Sequence, residues 1–315
     1  MRNDRIVIRR EPSKLARINS TSAQYLQKYK VDMSLRNLAQ GTICRYEESL
    51  QQWFIFILDY QNNKDVCTIT DDDITEFLFY CKSHGNNSER IKFYIASISA
   101  FYRYLRKKRV ITENPVEFVD RPKRGMRVTT QTYLTPEQVA VMREKLIANK
   151  DVQLRLYATL SLSTMARVSA IASLRWEQVD LDNKVIHNVK EKENKIVDLY
   201  FSDEVKCLLL QLREQRAAKN RDDHGWVLYT GRNKNKPISV STLDTWCKKI
   251  GKMIGTPTLH HHDFRHSGAT LLKNAGMPLE DVSVLLNHES TETTKKFYIK
   301  QDTKRISNLK ALYNI

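Results

Sequence analysis

A chain of 315 residues with 41% apolar content holds material for two ordinary domains, each with its own core, which excludes a disordered polymer. Its 52 Lys and Arg against 36 Asp and Glu leave a formal charge of +16, pointing to a polyanionic partner, nucleic acid first. No apolar run approaches the roughly 20 residues of a spanning helix, and the N-terminal MRNDRIVIRREPSK lacks the apolar stretch of a secretory signal, so no membrane is expected among its partners.

Residues 1–19 read as a basic arm. From about Ser20 to Arg109 the apolar spacing is helical, as in the run Tyr46, Leu50, Trp53, Phe54 and Ile57. Thr70, followed by Asp71, Asp72 and Asp73 ahead of Ile74, Phe77 and Leu78, marks a helix start with carboxylates at the positive end of the dipole, a reading that outweighs a metal site. A further helix through Ile91, Ile95, Ile98, Phe101, Tyr102 and Leu105 ends in a basic cluster, of which Arg103, Arg106, Lys107 and Lys108 are candidate DNA contacts. Asn114-Pro115 stops regular structure. Residues 20–120 thus form one helical domain. Residues 121–133 are an exposed cationic linker, where Arg121, Lys123 and Arg124 are placed to cross a groove as the two domains encircle a duplex.

Thr135-Pro136-Glu137 opens the second domain, residues 134–298, with Pro at the first helical position. Helices dominate again, except between Lys184 and Phe201. There Val185-Ile186 and the alternation Val197, Leu199, Phe201 flank a polar turn, as in a hairpin. The chain is therefore mainly α, with a mixed α/β second domain. The five cysteines, Cys44, Cys67, Cys81, Cys207 and Cys247, lack C-x-x-C spacing and are odd in number, which fits a reducing cytoplasmic setting. Each is read as a small buried hydrophobe.

Three segments of the second domain carry the chemistry. STMARVSAIASLRW holds Arg167 near the start of an apolar helix that Trp176 closes; HHHDFRHSGATLLKNAG holds His262 and Arg265, spaced to face one point from a first helical turn; LLNHESTETTKKFYIK holds His288 and Tyr298. In this order the segments resemble the tyrosine recombinases, the phage-integrase type of site-specific recombinase, over nearly the whole chain. The run His262-Asp263-Phe264-Arg265-His266-Ser267-Gly268-Ala269-Thr270, the triplet Leu286-Asn287-His288, and Thr293-Thr294 before Tyr298 match that family's pattern. The resemblance implies a helical, SAM-like core-binding domain in the N-terminal half.

It also implies a catalytic set of Arg167, Lys192, His262, Arg265, His288 and Tyr298. For the hairpin lysine, Lys192-Glu193-Asn194-Lys195 is the best match, with Lys190 and Lys195 left as alternatives. Two departures stand out: Ala170 occupies the place, three residues after Arg167, where the family usually carries an acidic residue, and Asn287 replaces the common Gly before the second His.

The residue types suit the reaction. Attack on a phosphodiester puts negative charge on the non-bridging oxygens, which two guanidinium groups can meet with forked hydrogen bonds. A phenol of pKa about 10 needs a base, the role implied for His262. Lys192 is implied as the acid for the departing 5′-hydroxyl and His288 as a phosphate ligand. The expected product is a 3′-phosphotyrosine on Tyr298, with religation through a Holliday junction and no metal, nucleotide or other cofactor. His262 and His266 share the i, i+4 spacing of a zinc helix, yet the Glu of H-E-x-x-H is missing.

The expected partners are double-stranded DNA with specific core sites, accessory proteins, and further copies of the chain in a homotetramer on two duplexes. In the tail, residues 299–315, the residues Ile306, Leu309, Leu312 and Tyr313 share one helical face that docks either on a neighbouring protomer or on its own domain. A mobile-element role and nucleoid association follow from the resemblance. Two readings compete: a DNA-binding protein of the same fold that has lost catalysis, and a carboxylate-based, metal-dependent nuclease.

Overall fold

Side chains placed to satisfy orphan N–H groups start most of the long helices, and these starts set the frame of the molecule. The structure, a computed structural model, describes residues 7–122, 133–191, 195–220, 222–231 and 236–287. The chain divides into two units, Met1–Val128 and Thr129–Ile315.

The N-terminal unit is helical: α1 (Pro12–Leu15), α2 (Ser20–Leu35), α3 (Gln40–Tyr60), α4 (Asp71–Ser83) and α5 (Ser88–Lys107). Asn19 caps α2, Asn87 caps α5, and Thr70 exchanges hydrogen bonds with Asp73 in a capping box at α4. The aspartate run is thus a helix start, as its position predicts. Helix α3 buries Leu50, Trp53, Phe54 and Ile57. Trp53 meets Tyr102 edge-on at 5.8 Å, and Phe54 meets Phe101 at 5.9 Å, so α3 and α5 interlock through aromatic rings. Asn114-Pro115 opens a 3-10 turn, Pro115–Phe118, because the Asn114 side chain accepts from the Val116 N–H at 3.1 Å and proline's missing donor costs nothing at a first position.

The second unit comprises α6 (Pro136–Ala148), α7 (Val152–Thr164), α8 (Val168–Ala172), strands β1 (Val179–Asp180), β2 (Val185–Lys190) and β3 (Ile196–Tyr200), then α9 (Asp203–Ala218), α10 (Val240–Met253), α11 (His261–Asn274) and α12 (Leu279–Leu285). Thr135 and Gln138 form the capping box of α6, with Pro136 in its first turn. Helix α7 is buried nearly all round, Leu154, Leu156, Tyr157 and Leu160 having no exposure, and it packs on α9 and α11. The three strands form one antiparallel sheet in the order β1-β2-β3, with Ile186 opposite Leu199 and Val189 opposite Val197 on the buried face. Between those pairs the register slips at Asn188, whose φ is +55° and whose N–H donates to the Asp198 carboxylate at 3.1 Å.

Two expectations need correction. Arg167 and Trp176 do not bracket one helix: α8 stops at Ala172, and Trp176 opens a separate 3-10 turn. The Ser173 hydroxyl donates back to the Ser169 carbonyl at 3.0 Å, and the following backbone pairs with the strand-like segment at Gly225–Val227 instead of continuing the helix. All five cysteines are free, but only Cys81 and Cys247 are buried. Cys44 and Cys207 stand beside buried Ile43 and Leu208, and one residue along a helix turns a side chain about 100° away from the core. Among the described residues, no helix is long and apolar enough to cross a membrane.

Candidate functional site

The site begins where α7 ends. Met165 closes that helix in a left-handed conformation, φ +53°, Ala166 stays buried, and Arg167 follows as the N-cap of α8. Helix α11 passes close by because residue 268 is glycine: a Cβ there would lie 2.6 Å from Met165 Cγ and against the Leu162 carbonyl oxygen. That approach seats Arg265, which is only 2% exposed. Its Nη1 donates to the Met165 carbonyl at 2.6 Å and its Nη2 to the Leu286 carbonyl at the end of α12. A buried guanidinium needs such acceptors, and these two set the direction of its fork.

One residue before His262 stands His261, whose importance the sequence did not signal. Its ring is buried; Nε2 donates to the Ala166 carbonyl at 3.1 Å and Nδ1 accepts from the Tyr157 hydroxyl at 2.9 Å. Burial pushes its pKa down to about 4, so it stays neutral and ties the loop before Arg167 to α7 and α11. In a run of three histidines, only helical phase distinguishes this ring from its neighbours.

His262 faces the other way and is exposed on its outer side. Partial removal from water, then the charges of Arg265, His260 and Arg167, hold it below the usual histidine range against the opposing pull of Asp263. The neutral form of the ring is thereby favoured. The buried His266 lies 4.4 Å from it, ring perpendicular to ring, and burial pushes His266 down to about 4. Among the described residues, no group of three or more His, Cys, Asp and Glu side chains is placed to hold a metal ion.

Arg167 makes an ion pair through Nη1 with Glu191, the residue that follows β2. Lys190 is exposed at the strand end. Lys195, before β3, donates to the Asn287 carbonyl at 3.3 Å. Asn287 has φ +51°, the left-handed region that asparagine tolerates in place of glycine. The structure thus brings Arg167, His262, Arg265 and Lys195 to one end of the unit, next to the residue that precedes His288. Lys192, His288 and Tyr298 lie outside the described residues, as do Lys123 and Arg124.

The remaining candidates belong to the N-terminal unit. Arg103, Arg106, Lys107, Lys108 and Arg121 are all exposed. Arg106 pairs with Glu117 at 2.8 Å, which offsets part of its charge.

Comparison with known proteins gives two family matches: the phage integrase family over residues 132–305, and the phage integrase N-terminal SAM-like domain over residues 23–109. Among curated relatives, tyrosine recombinase XerD of Halalkalibacterium halodurans is 25% identical over 284 residues, covering 88% of this chain and 92% of the relative. Tyrosine recombinase XerC of Lactobacillus delbrueckii subsp. bulgaricus is 31% identical over 208 residues, 64% of this chain and 68% of the relative. Among solved structures, the XerH site-specific recombinase bound to a palindromic difH substrate, a post-cleavage complex, superposes with a TM-score of 0.70 at 17% identity, covering 96% of this chain and 93% of that one.

Proposed function

From the premise that this chain belongs to the phage integrase family, we propose that it is a site-specific DNA recombinase that cuts and rejoins duplex DNA through Tyr298. The observation that carries the reading is the clustering of Arg167, Arg265 and a neutral His262 around the turn at Met165–Arg167. Two guanidinium groups supply charge to the non-bridging oxygens of a phosphate as it passes through its crowded transition state. A histidine kept neutral at pH 7 can take the phenolic proton of Tyr298 as its oxygen attacks phosphorus. The 5′-oxygen then leaves, taking a proton from the hairpin lysine. Lys192 holds that role by its match to the family pattern, with Lys190 and Lys195 as alternatives; the Lys195 ammonium reaches the Asn287 carbonyl. His288 adds a hydrogen bond to the phosphate. The 3′-phosphotyrosine preserves the energy of the broken ester, so a second 5′-hydroxyl can reverse the step on a new strand.

The substrate is double-stranded DNA, in keeping with the formal charge of +16 and the exposed basic end of α5. Strand exchange between two duplexes calls for four active subunits, so the working assembly is a homotetramer in which residues 299–315 dock on the neighbouring protomer. Recombinase chemistry on chromosomal or mobile-element DNA places the protein with the nucleoid, where accessory proteins bias its direction.

The test uses nicked duplexes tiled across the DNA that flanks the gene. Wild-type protein should leave a covalent adduct on one of them, in chelator as well as without it. Tyr298→Phe should bind the same duplex and form no adduct. An adduct that survives the substitution moves the nucleophile elsewhere, Tyr313 first; no adduct from the wild type leaves a DNA-binding protein of the same fold.

A further inference from the structure

The ion pair between Arg167 and Glu191 is asymmetric. The Glu191 side chain has no exposure, whereas that of Arg167 keeps 34%. A carboxylate sealed from water without a cation is strongly unfavourable, so the buried partner is the fixed one and the guanidinium is held against it. The Arg167 backbone N–H also points at Glu191 Oε1, 3.4 Å away. Glu191 is fixed in turn by its own backbone, whose N–H donates to the Lys195 carbonyl at 2.8 Å and closes the hairpin. Among the described residues, Nη1 is the guanidinium nitrogen of Arg167 that has a hydrogen-bond partner, and the Nε and Nη2 donors are open to an anion.

Position 170, where an acidic residue was expected, offers no such help. Ala170 is wholly buried in the apolar core beside Ile171 and Leu174. The carboxylate that meets Arg167 comes instead from the end of β2.

We propose that Glu191 is a positioning residue for strand cleavage: it aims Arg167 at the scissile phosphate and couples that aim to the docking of the hairpin that carries the candidate lysines. The proposal rests on the recombinase reading above. It has a distinctive signature, because a carboxylate beside a phosphate-binding arginine opposes DNA binding while improving geometry. Losing it should slow cleavage without weakening affinity.

The experiment uses the full-length protein and the nicked duplex on which the wild type forms its adduct. Glu191→Gln keeps the shape and removes the charge. At saturating DNA its single-turnover adduct formation should be slower by about tenfold or more, the scale of a misaimed catalytic group, with DNA affinity equal to or tighter than wild type. Glu191→Asp should regain part of the rate. Without DNA, phenylglyoxal labelling of Arg167, read by mass spectrometry, should be faster in Glu191→Gln. A wild-type cleavage rate or unchanged Arg167 labelling in Glu191→Gln overturns the proposal. So does a parallel loss of melting temperature, affinity and rate that Asp does not restore, since that marks a purely structural residue. If the wild type itself forms no adduct, the recombinase reading fails and this proposal falls with it; a wild-type adduct matched by Glu191→Gln sinks the proposal alone.

Discussion

Arg265 Nη1 donates a 2.6 Å hydrogen bond to the carbonyl of Met165, the residue whose left-handed backbone ends α7. Gly268, one turn along α11, permits this approach, since a Cβ there would clash with Met165 and the Leu162 carbonyl oxygen. Gly268→Ala should therefore destabilise the protein by about 1–3 kcal/mol, the usual cost of overpacking a close contact, and displace Arg265 from its seat. Denaturant midpoints and DNA cleavage should fall together. A variant with wild-type stability would mean that the crossing is looser than described.

Acid should weaken the second unit through His261. Its folded pKa is about 4 against 6.5 for an ordinary histidine, so between those values the unfolded chain binds a proton that the folded chain refuses. The stabilisation is complete above pH 6.5 and is lost as pH falls towards 4, by about 3 kcal/mol for a difference of this size. His266 acts in the same direction. Melting temperature measured across that window should drop steeply for wild type and less steeply for His261→Gln; equal slopes would take His261 out of the account.

Cleavage rate should respond to pH through His262. Its pKa lies below the usual histidine range, so the neutral, proton-accepting form persists below pH 6.5. At subsaturating DNA, where the rate reports the free protein, it should stay level from pH 8 down past 6.5 and then decline, with the slope of one proton. In His262→Asn that decline should vanish along with most of the rate. A decline that begins above pH 7 would assign the base to another group.

DNA affinity should fall steeply with salt, each neutralised phosphate adding about −0.9 to the slope of log K against log salt. Arg103→Gln or Lys107→Gln should each remove about that much. Arg106→Gln should remove less, because Glu117 already offsets its charge. Charge reversal at Arg121, Lys123 and Arg124 should flatten the slope further. A wild-type slope shallower than about −3 would mean too few phosphate contacts for DNA binding by both units.

The helix starts at Thr70 and Thr135, the hairpin, and the order of the chemical residues were legible from the chain, because each is written in neighbours within about one turn or one strand pair. Helical spacing alone put His262 and Arg265 on one face. Other features depended on residues distant in the chain. The length of α8 depended on the segment at Gly225–Val227, and the exposure of three cysteines on which side of each element met the core. Packing makes His261 the buried strut and leaves His262 exposed, since a run of three identical rings does not say which one meets Tyr157 and Ala166. It also decided the partner of Arg167. Motif spacing pointed three residues ahead to Ala170, whereas the carboxylate arrives from the end of β2; an ion pair requires closeness in space, and sheet docking supplies that with no local trace in the chain.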